Sequence, residues 1–316
     1  MSYLIAVIIP YAAAITFLIG IVCRAGRWAK APVPFRIPTT CGQQKSLPWI
    51  KSSRLDNPHS TSGVVARMAL EILFFRSLFR NTKADLKPGP AFVYGSDKWL
   101  WLMALVFHWS LLIIILRHLR FFAEPELRLV SLLQSLDGFF KLGLPVLFAT
   151  DVLLTAALAF LFLRRLANRR LRYISLAADY FPLLLIGAIA ASGILMRHVY
   201  KADLRQVKVF LLDLVRLQPS PPEGAGFLFY AHLLLVSVLI AYFPFSKLVH
   251  MGGIFLSPTR NLANDSRRRR HVNPWNHGVK VHTYEEYENE FRPVMIAAGL
   301  PVEKDESTHR KEAGEI

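Results

Sequence analysis

Apolar residues fall into five long blocks along the chain, and polar and basic residues lie between the blocks. A helix needs about 20 apolar residues to cross the hydrocarbon core of a bilayer. Each block is close to that length. The pattern therefore predicts an all-α, polytopic membrane protein with five transmembrane helices. The predicted helices cover residues 4–23, 99–121, 142–163, 180–196 and 227–248.

Basic residues between the blocks predict the orientation of the chain. Lys and Arg accumulate in cytoplasmic segments, and here they are concentrated after the first, third and fifth blocks. With five crossings these basic segments all lie on one side of the membrane. The N-terminus is therefore predicted outside and the C-terminus in the cytoplasm. The membrane is predicted to be the cell inner (cytoplasmic) membrane. The first block has no basic start, so we expect a retained helix rather than a cleaved signal peptide.

The same blocks divide the chain into four regions. The first helix and its end occupy residues 1–24, a cytoplasmic loop covers 25–97, the other four helices form a bundle over 98–250, and a cytoplasmic tail covers 251–316. Within the loop, residues near 63–80 have a helical pattern. Their charges do not keep to one face, so we expect this helix to lie between the membrane surface and a partner protein.

Charge and cysteine content narrow the function. The chain has 316 residues, is 53% hydrophobic and carries a formal net charge of +16. Because the positive charge lies in the loops, it suits anionic lipid and protein partners, and no nucleic acid is expected as a partner. Cys23 and Cys41 are the only cysteines, which excludes a cluster held by four cysteines of this chain. No C-x-x-C-H string for covalent haem attachment is present.

Histidines at membrane depth or its edge are the candidates for chemistry. Polar side chains in a membrane are costly and usually face the bundle interior with a partner or a function. The second and fifth predicted helices each carry two histidines, which would let facing helices hold two haems, each between two imidazoles. Because these helices run antiparallel, we expect His108 to pair with His250 on the cytoplasmic side and His118 with His232 on the outer side.

Two alternatives concern the histidines. A single histidine at a helix end often bonds a backbone carbonyl, and this interpretation suits His118 or His250 taken alone. His198, at the outer end of the fourth predicted helix, is a rival ligand for the outer haem.

Other polar residues near the membrane have open roles. Asp151 is the acid at mid-membrane depth. Its functional role would be to accept a hydrogen bond from a ligating imidazole or to relay protons. The alternative is a structural hydrogen bond to a neighbouring helix. Arg197 would contact a haem propionate or a quinone. By position, the candidate quinone contacts on the outer side are Arg120, Lys141 and Arg197.

The predicted spans and their histidines resemble the gamma subunits of respiratory nitrate reductases, which are dihaem cytochromes b. The separation of eighteen residues between His232 and His250 is similar to that family. The separation of ten residues between His108 and His118 departs from the family pattern by one residue, which is why His198 stays a rival for the outer position.

Longer strings, in the loop, in the second predicted helix and in the tail, resemble the DsrM cytochrome b subunits of the sulfite-reduction-associated DsrMKJOP complexes. These strings are GQQKSLPWIK (42–51), LDNP (55–58), RMALEILFFRSLFRNT (67–82), YGSDKWLW (94–101), FHWS (107–110), LRHLRFF (116–122), NPWN (273–276) and VKVHTYEEYENEF (279–291). The resemblance implies two b haems, exchange with menaquinone or another quinone, and a DsrK-like cytoplasmic iron–sulfur subunit among the partners from such a complex. Carried onto this chain, the ligand candidates are His108, His118, His232 and His250.

Two functions of different classes follow. In the first, the chain is the electron-transfer subunit of a quinone-linked oxidoreductase in dissimilatory sulfur metabolism: quinol is oxidised at the outer haem, and electrons pass to the cytoplasmic haem and then to the iron–sulfur partner. In the second, it is a haem-free or single-haem membrane anchor that recruits soluble subunits. A transporter would need a repeat with broken helices at mid-membrane, and the sequence contains neither feature.

Overall fold

The structure is a computed structural model of the chain. It describes residues 2–31, 53–86, 92–138, 147–222, 224–264 and 281–303. The chain forms two compact units, one over residues 1–271 and the other over residues 272–316. Each unit is described by itself.

The first unit is mostly helical, and four of its described helices are long and apolar enough to cross a membrane. This agrees with a multi-pass membrane protein. A π-helical stretch, Leu4–Ile8, continues as α1. The four long helices are α1 (Ile9–Lys30), α4 (Lys98–His118), α8 (Ala177–His198) and α10 (Phe227–Tyr242). Short 3₁₀ segments extend α4 to Phe121 and α10 to Phe245.

The third predicted span corresponds to a shorter and more charged helix. α6 covers Ala149–Ala167, with Asp151 in its first turn and Arg164 and Arg165 in its last. Residues 142–146 of the predicted span lie outside the described residues. A fifth crossing and the orientation of the termini therefore stay predictions.

Shorter elements connect the long helices. The remaining helices of this unit are α2 (Thr61–Phe74), α3 (Arg76–Phe79), α5 (Arg128–Asp137), α7 (Arg169–Ile174), α9 (Leu204–Val215), α11 (His250–Leu256) and α12 (Pro258–Asn261). The backbone also forms an antiparallel hairpin of β1 (Thr82–Leu86) and β2 (Phe92–Ser96), in which Thr82 lies opposite Ser96. A purely helical chain was expected, and this hairpin is the difference.

The long helices pack in an order that differs from their order along the chain. α4 packs on α6, α6 on α8, α8 on α10, and α10 on α1. The buried apolar side chains between α4, α6 and α8 are Phe107, Leu154, Ala157, Leu158 and Ile186. The histidine-bearing helices α4 and α10 are thus joined through α6 and α8.

The last predicted helix is not continuous. We expected one helix over 227–248, but α10 ends at Tyr242, and Pro244 lies in the 3₁₀ segment that follows. Proline lacks the N–H that an α-helix needs and its ring clashes with the preceding turn. A second 3₁₀ segment, Lys247–Val249, then leads into His250, the first residue of α11. His232 and His250 therefore lie on two separate helices, α10 and α11.

Within residues 281–303, the part of the second unit that the structure describes, the chain forms one helix, α13 (Tyr284–Ala297). Thr283 and Glu286 form a capping box at its start, in which each side chain accepts a hydrogen bond from the other residue's N–H. Glu288 is buried and accepts hydrogen bonds from Arg292 Nε and from the Glu303 N–H. These contacts fold the chain after α13 back onto the helix.

Candidate functional site

Two histidines that are far apart in the sequence meet at the start of α11. The ring centroids of His108, on α4, and His250 are 5.9 Å apart, and the ring planes are perpendicular. We call His108 and His250 the inner pair. Two imidazoles that bind one metal from opposite sides have centroids about 6 Å apart, because each metal–nitrogen bond is about 2 Å. The inner pair is therefore close enough for its two imidazoles to hold one iron between them.

A second pair lies toward the other end of the bundle. His118 ends α4, and His232 lies on α10 close enough for an electrostatic interaction between the two side chains. We call His118 and His232 the outer pair. His232 Nδ1 lies 2.8 Å from Ser192 Oγ on α8. The next residue, Gly193, has no side chain, and a Cβ there would lie 3.4 Å from His232 Cε1.

All four histidines have a hydrogen-bond partner at Nδ1. Main-chain carbonyl oxygens are the partners of His108 (Ala104, 2.7 Å), His118 (Ile114, 2.7 Å) and His250 (Lys247, 2.9 Å). Such a bond fixes the tautomer and orients the ring, and it leaves Nε2 to act as a metal ligand. A histidine that bonds a backbone carbonyl can therefore also be a ligand, so the two interpretations drawn from the sequence are compatible in these residues.

The donor set suits a haem better than a bare metal ion. Within the described residues, no group of three or more His, Cys, Asp or Glu side chains is placed to hold a metal ion. Protein sites for bare transition metals usually supply three or four ligands. Pairs of imidazoles instead suit iron whose other bonds are made by a porphyrin. The residues of the inner and outer pairs therefore fit haem b.

Charged side chains gather around the outer pair. Asp151 lies within electrostatic range of His118, His198 and Arg197. The Arg197 guanidinium stacks 3.9 Å from the ring centroid of Phe148. His198 Nε2 is buried and has no hydrogen-bond partner among the described residues. Asp151 and His198 thus share one polar region at the end of the bundle where His118 lies.

Of the three predicted quinone contacts, two fall in this region. Arg120 donates a hydrogen bond from Nη1 to Gln134 Oε1 at 3.3 Å and interacts electrostatically with Arg197. Lys141 lies outside the described residues.

Sequence reasoning missed a buried ion pair beside these residues. Arg117 and Asp137 are each 7% exposed and form a salt bridge. Thr150 completes the group, since its N–H donates to Asp137 Oδ1 at 2.9 Å and its hydroxyl donates to Oδ2 at 2.6 Å. The Arg117 guanidinium also lies 3.5 Å from the ring centroid of Phe148. An arginine inside an apolar helix directly before a histidine was the signal that could have found it.

Comparison with known proteins places the chain in a family. The model of the nitrate reductase gamma subunit family matches residues 68–267, which contain both histidine pairs. This match covers more than half of the chain. The chain therefore belongs to the nitrate reductase gamma subunit family.

Two archaeal relatives are similar over most of their length. A Hdr-like menaquinol oxidoreductase cytochrome b-like subunit of Archaeoglobus fulgidus is 46% identical over 277 residues, covering 85% of this chain and 82% of the relative. A protein of the same description from Archaeoglobus profundus is 40% identical over 301 residues, covering 93% of this chain and 86% of the relative. The similarity therefore extends beyond the membrane helices into the loop and tail.

Proposed function

We propose that this chain is a dihaem cytochrome b subunit that exchanges electrons with the quinone pool and passes them across the membrane to a cytoplasmic iron–sulfur partner. The observation that carries the proposal is the inner pair, whose two imidazoles are 5.9 Å apart with both Nδ1 atoms bonded to carbonyl oxygens. The description of both relatives as subunits of a menaquinol oxidoreductase supports the link to quinone.

Each histidine pair has a defined task in this function. The inner pair would hold one haem b and the outer pair the other, through Nε2 of each ring. Haem b bound in this way supplies one-electron transfer within the low-dielectric interior of the bundle. The chain's own residues orient the imidazoles, through the carbonyls of α4 and through Ser192 for His232.

The outer end of the bundle would bind the quinone. Arg120 and Arg197, together with Lys141, are the proposed contacts for a quinone oxygen. Asp151 lies within electrostatic range of both His198 and Arg197. A carboxylate in that position can accept a proton that quinol releases on oxidation and pass it toward the surface.

The topology and partner complete the proposal. Five crossings with the N-terminus outside would put the inner pair near the cytoplasmic face of the inner membrane. There its haem would pass electrons to a DsrK-like iron–sulfur subunit of a DsrMKJOP-type complex. The natural quinone would be menaquinone. The strings of the loop and tail that resemble DsrM support this assignment, and both relatives are named as subunits of a larger Hdr-like oxidoreductase.

Haem content tests the proposal directly. The purified wild-type protein should show b-type absorption on reduction, with two haems per chain. His108→Ala and His250→Ala should each remove the same haem, and His118→Ala and His232→Ala should remove the other. The exposed tail residue His282 provides the matched control, and His282→Ala should keep both haems.

Other outcomes would contradict parts of this assignment. Loss of the second haem in His198→Ala, with retention in His118→Ala, would move the outer ligand to His198. Absence of b-type absorption from carefully prepared wild type would favour the haem-free anchor. Haem content that survives every histidine substitution would remove the ligand assignment altogether.

A further inference from the structure

The loop helix breaks at an aromatic residue in an uncommon backbone conformation. A continuous helix was expected near 63–80, but α2 ends at Phe74 and α3 begins at Arg76. Phe75 between them has φ 51° and ψ 47°, in the left-handed region. A bulky residue rarely adopts this conformation, and it persists where the surroundings over-determine it.

Two tryptophans of α4 bind the end of α2. Trp101 Nε1 donates to the Phe74 carbonyl oxygen at 2.7 Å, and Trp109 Nε1 donates to the Leu73 carbonyl oxygen at 3.0 Å. The last carbonyls of a helix lack intrahelical donors, so the indoles satisfy groups that would otherwise be unpaired. The end of α2 is therefore attached to the helix that carries His108.

This attachment brings Phe75 against the inner pair. The Phe75 ring lies edge-on to the His108 ring, with 5.0 Å between the centroids. Phe107 contacts the same imidazole at 5.0 Å. Two aromatic rings, one from the loop and one from α4, thus surround His108 with apolar surface.

A second attachment joins α2 to the segment that follows His250. Glu71, 6% exposed, forms a salt bridge of 3.0 Å with Arg260 of α12. Arg260 Nη1 also donates to Ser77 Oγ at 2.8 Å, next to the break at Phe75. Arg67 of α2 donates to the carbonyl oxygens of Arg260 and Leu262. α12 follows directly after α11, the helix that begins at His250, so α2 contacts the segment that comes after the helix carrying the second imidazole.

We infer that α2 and α3 form a clamp that sets the separation of His108 and His250 and keeps water from the His108 side of the inner pair. Its two positioning residues are Phe75, which contacts His108, and Arg260, which joins α2 to the segment that follows α11. The clamp rests on the proposed function, since it acts on the haem site that the inner pair would form. Because His250 lies beyond the end of α10, its position depends on such an external contact.

Phe75→Asn tests the aromatic half of the clamp. Asparagine tolerates the left-handed conformation, so the backbone break is kept while the ring is removed. Water admitted to the site favours the oxidised, more charged haem, so one of the two b-type components should become harder to reduce. We expect a change of about tenfold in its one-electron equilibrium, about 59 mV, in a potentiometric titration. Val65→Asn, at a residue of α2 that is 62% exposed and away from the break, is the control and should leave both potentials unchanged.

Arg260→Gln tests the other half. The variant should lower the haem occupancy of the inner pair at least tenfold. It should also change the electron paramagnetic resonance signal of that haem, while the other haem stays as in wild type. Arg260→Lys keeps the charge toward Glu71 and should restore most of the occupancy. Arg169→Gln, at an exposed arginine that begins α7, is the matched control.

The outcomes separate the clamp from the function on which it rests. If His250→Ala removes one component but Phe75→Asn and Arg260→Gln leave both potentials and both occupancies unchanged, the clamp is wrong and the proposed function stands. Equal loss of both components in Arg260→Gln would mean general unfolding and would also overturn the clamp. A wild-type protein without b-type haem would remove both proposals together.

Discussion

Ser192 sets the orientation of His232 at the scale of single residues. Its hydroxyl lies 2.8 Å from His232 Nδ1, across the contact between α8 and α10. Partners of this kind typically change metal affinity or activity by about 10- to 100-fold when removed. We therefore expect Ser192→Ala to weaken binding of the outer haem by a factor in this range, measured as haem retained during dilution.

Ser237→Ala is the control for this prediction. Ser237 is buried on α10, as Ser192 is on α8, and each hydroxyl donates to a carbonyl of its own helix. Ser192 differs in that its hydroxyl also lies within hydrogen-bond distance of His232. Haem retention equal to that of wild type in both variants would show that Ser192 does not orient the ligand.

The space beside His232 gives a second prediction at this scale. A Cβ at Gly193 would lie 3.4 Å from His232 Cε1, an ordinary contact distance, whereas a Cβ at Gly187 of the same helix would meet nothing within 4 Å. Gly193→Ala should keep both haems. Gly193→Val should displace the imidazole and lower the outer haem content, while Gly187→Val should not. Absorption spectra of the three purified variants measure their haem content. A loss of haem in Gly187→Val would mean that the loss in Gly193→Val comes from the poor helix propensity of valine.

The histidines could be found from the sequence, but their neighbours could not. A polar residue inside an apolar run is visible because it costs free energy in lipid and needs a reason to be there. Ser192 and Gly193 have no such signal, since small residues are common wherever membrane helices pack closely. Only their placement opposite His232 gives them a role.

At the scale of elements, α1 fits tightly against the turn that leads to His250. A Cβ at Gly20 would lie 2.6 Å from Pro244 Cβ. Overpacking of this kind costs about 1–3 kcal/mol. The gain from replacing glycine in a helix interior is about 0.5–1 kcal/mol. We expect Gly20→Ala to lower the thermal unfolding temperature in detergent.

Gly26 of the same helix supplies the matched comparison. A Cβ there would meet nothing within 4 Å, so Gly26→Ala should leave the unfolding temperature unchanged or raise it. A higher unfolding temperature for Gly20→Ala would show that the turn at Pro244 can move away without loss.

Asp56 gives the loop helices a pH-dependent anchor. Arg76 donates to its carboxylate, as does Arg80, and these contacts hold the pKa of Asp56 well below its usual range. A lowered pKa in the folded state means that the stabilisation is complete above the unfolded pKa, about 4, and is lost as the pH falls further. Asp56→Asn should therefore be less stable than wild type at pH 7, and the difference should narrow below about pH 4. A difference that stays constant down to pH 3 would contradict this account.

Element boundaries were predictable where the chemistry of the residue dictates them. Proline breaks helices by its own chemistry, and the structure ends α10 two residues before Pro244. The break at Phe75 could not be predicted, because the αL residue after a helix is usually Gly or Asn. It depends on indole donors from another helix, and such tertiary contacts leave no local pattern.

At the scale of the whole molecule, the number of crossings is the open prediction. Five crossings put the two termini on opposite sides of the membrane, and four put them on the same side. Tyr3 and Val281 are 53% and 83% exposed and suit labelling. In a background with Cys23→Ser and Cys41→Ser, Tyr3→Cys should react with an impermeant thiol reagent from outside only. Val281→Cys should react only in inverted vesicles. Labelling of both from one side would exclude five crossings.

The overall architecture followed from the sequence because apolar blocks report burial in lipid directly. The packing order did not follow, since the order α4, α6, α8, α10 and α1 depends on side-chain fit across helices. The third predicted span shows the limit of the pattern. Asp151, Arg164 and Arg165 all lie in α6, and α6 is not among the described helices that are long and apolar enough to cross a membrane.

Both histidine pairs join α4 to the last part of the bundle, and this has a consequence for biogenesis. The inner pair needs α11 and the outer pair needs α10, so neither pair can close while the ribosome is still making α8. Synthesis proceeds at about 5–20 residues per second. For several seconds after α4 is made, His108 and His118 therefore have no partner histidine. On the proposed function, haem loading would therefore follow synthesis of the last membrane helix, and a chain that ends before Phe227 would enter the membrane without a complete histidine pair.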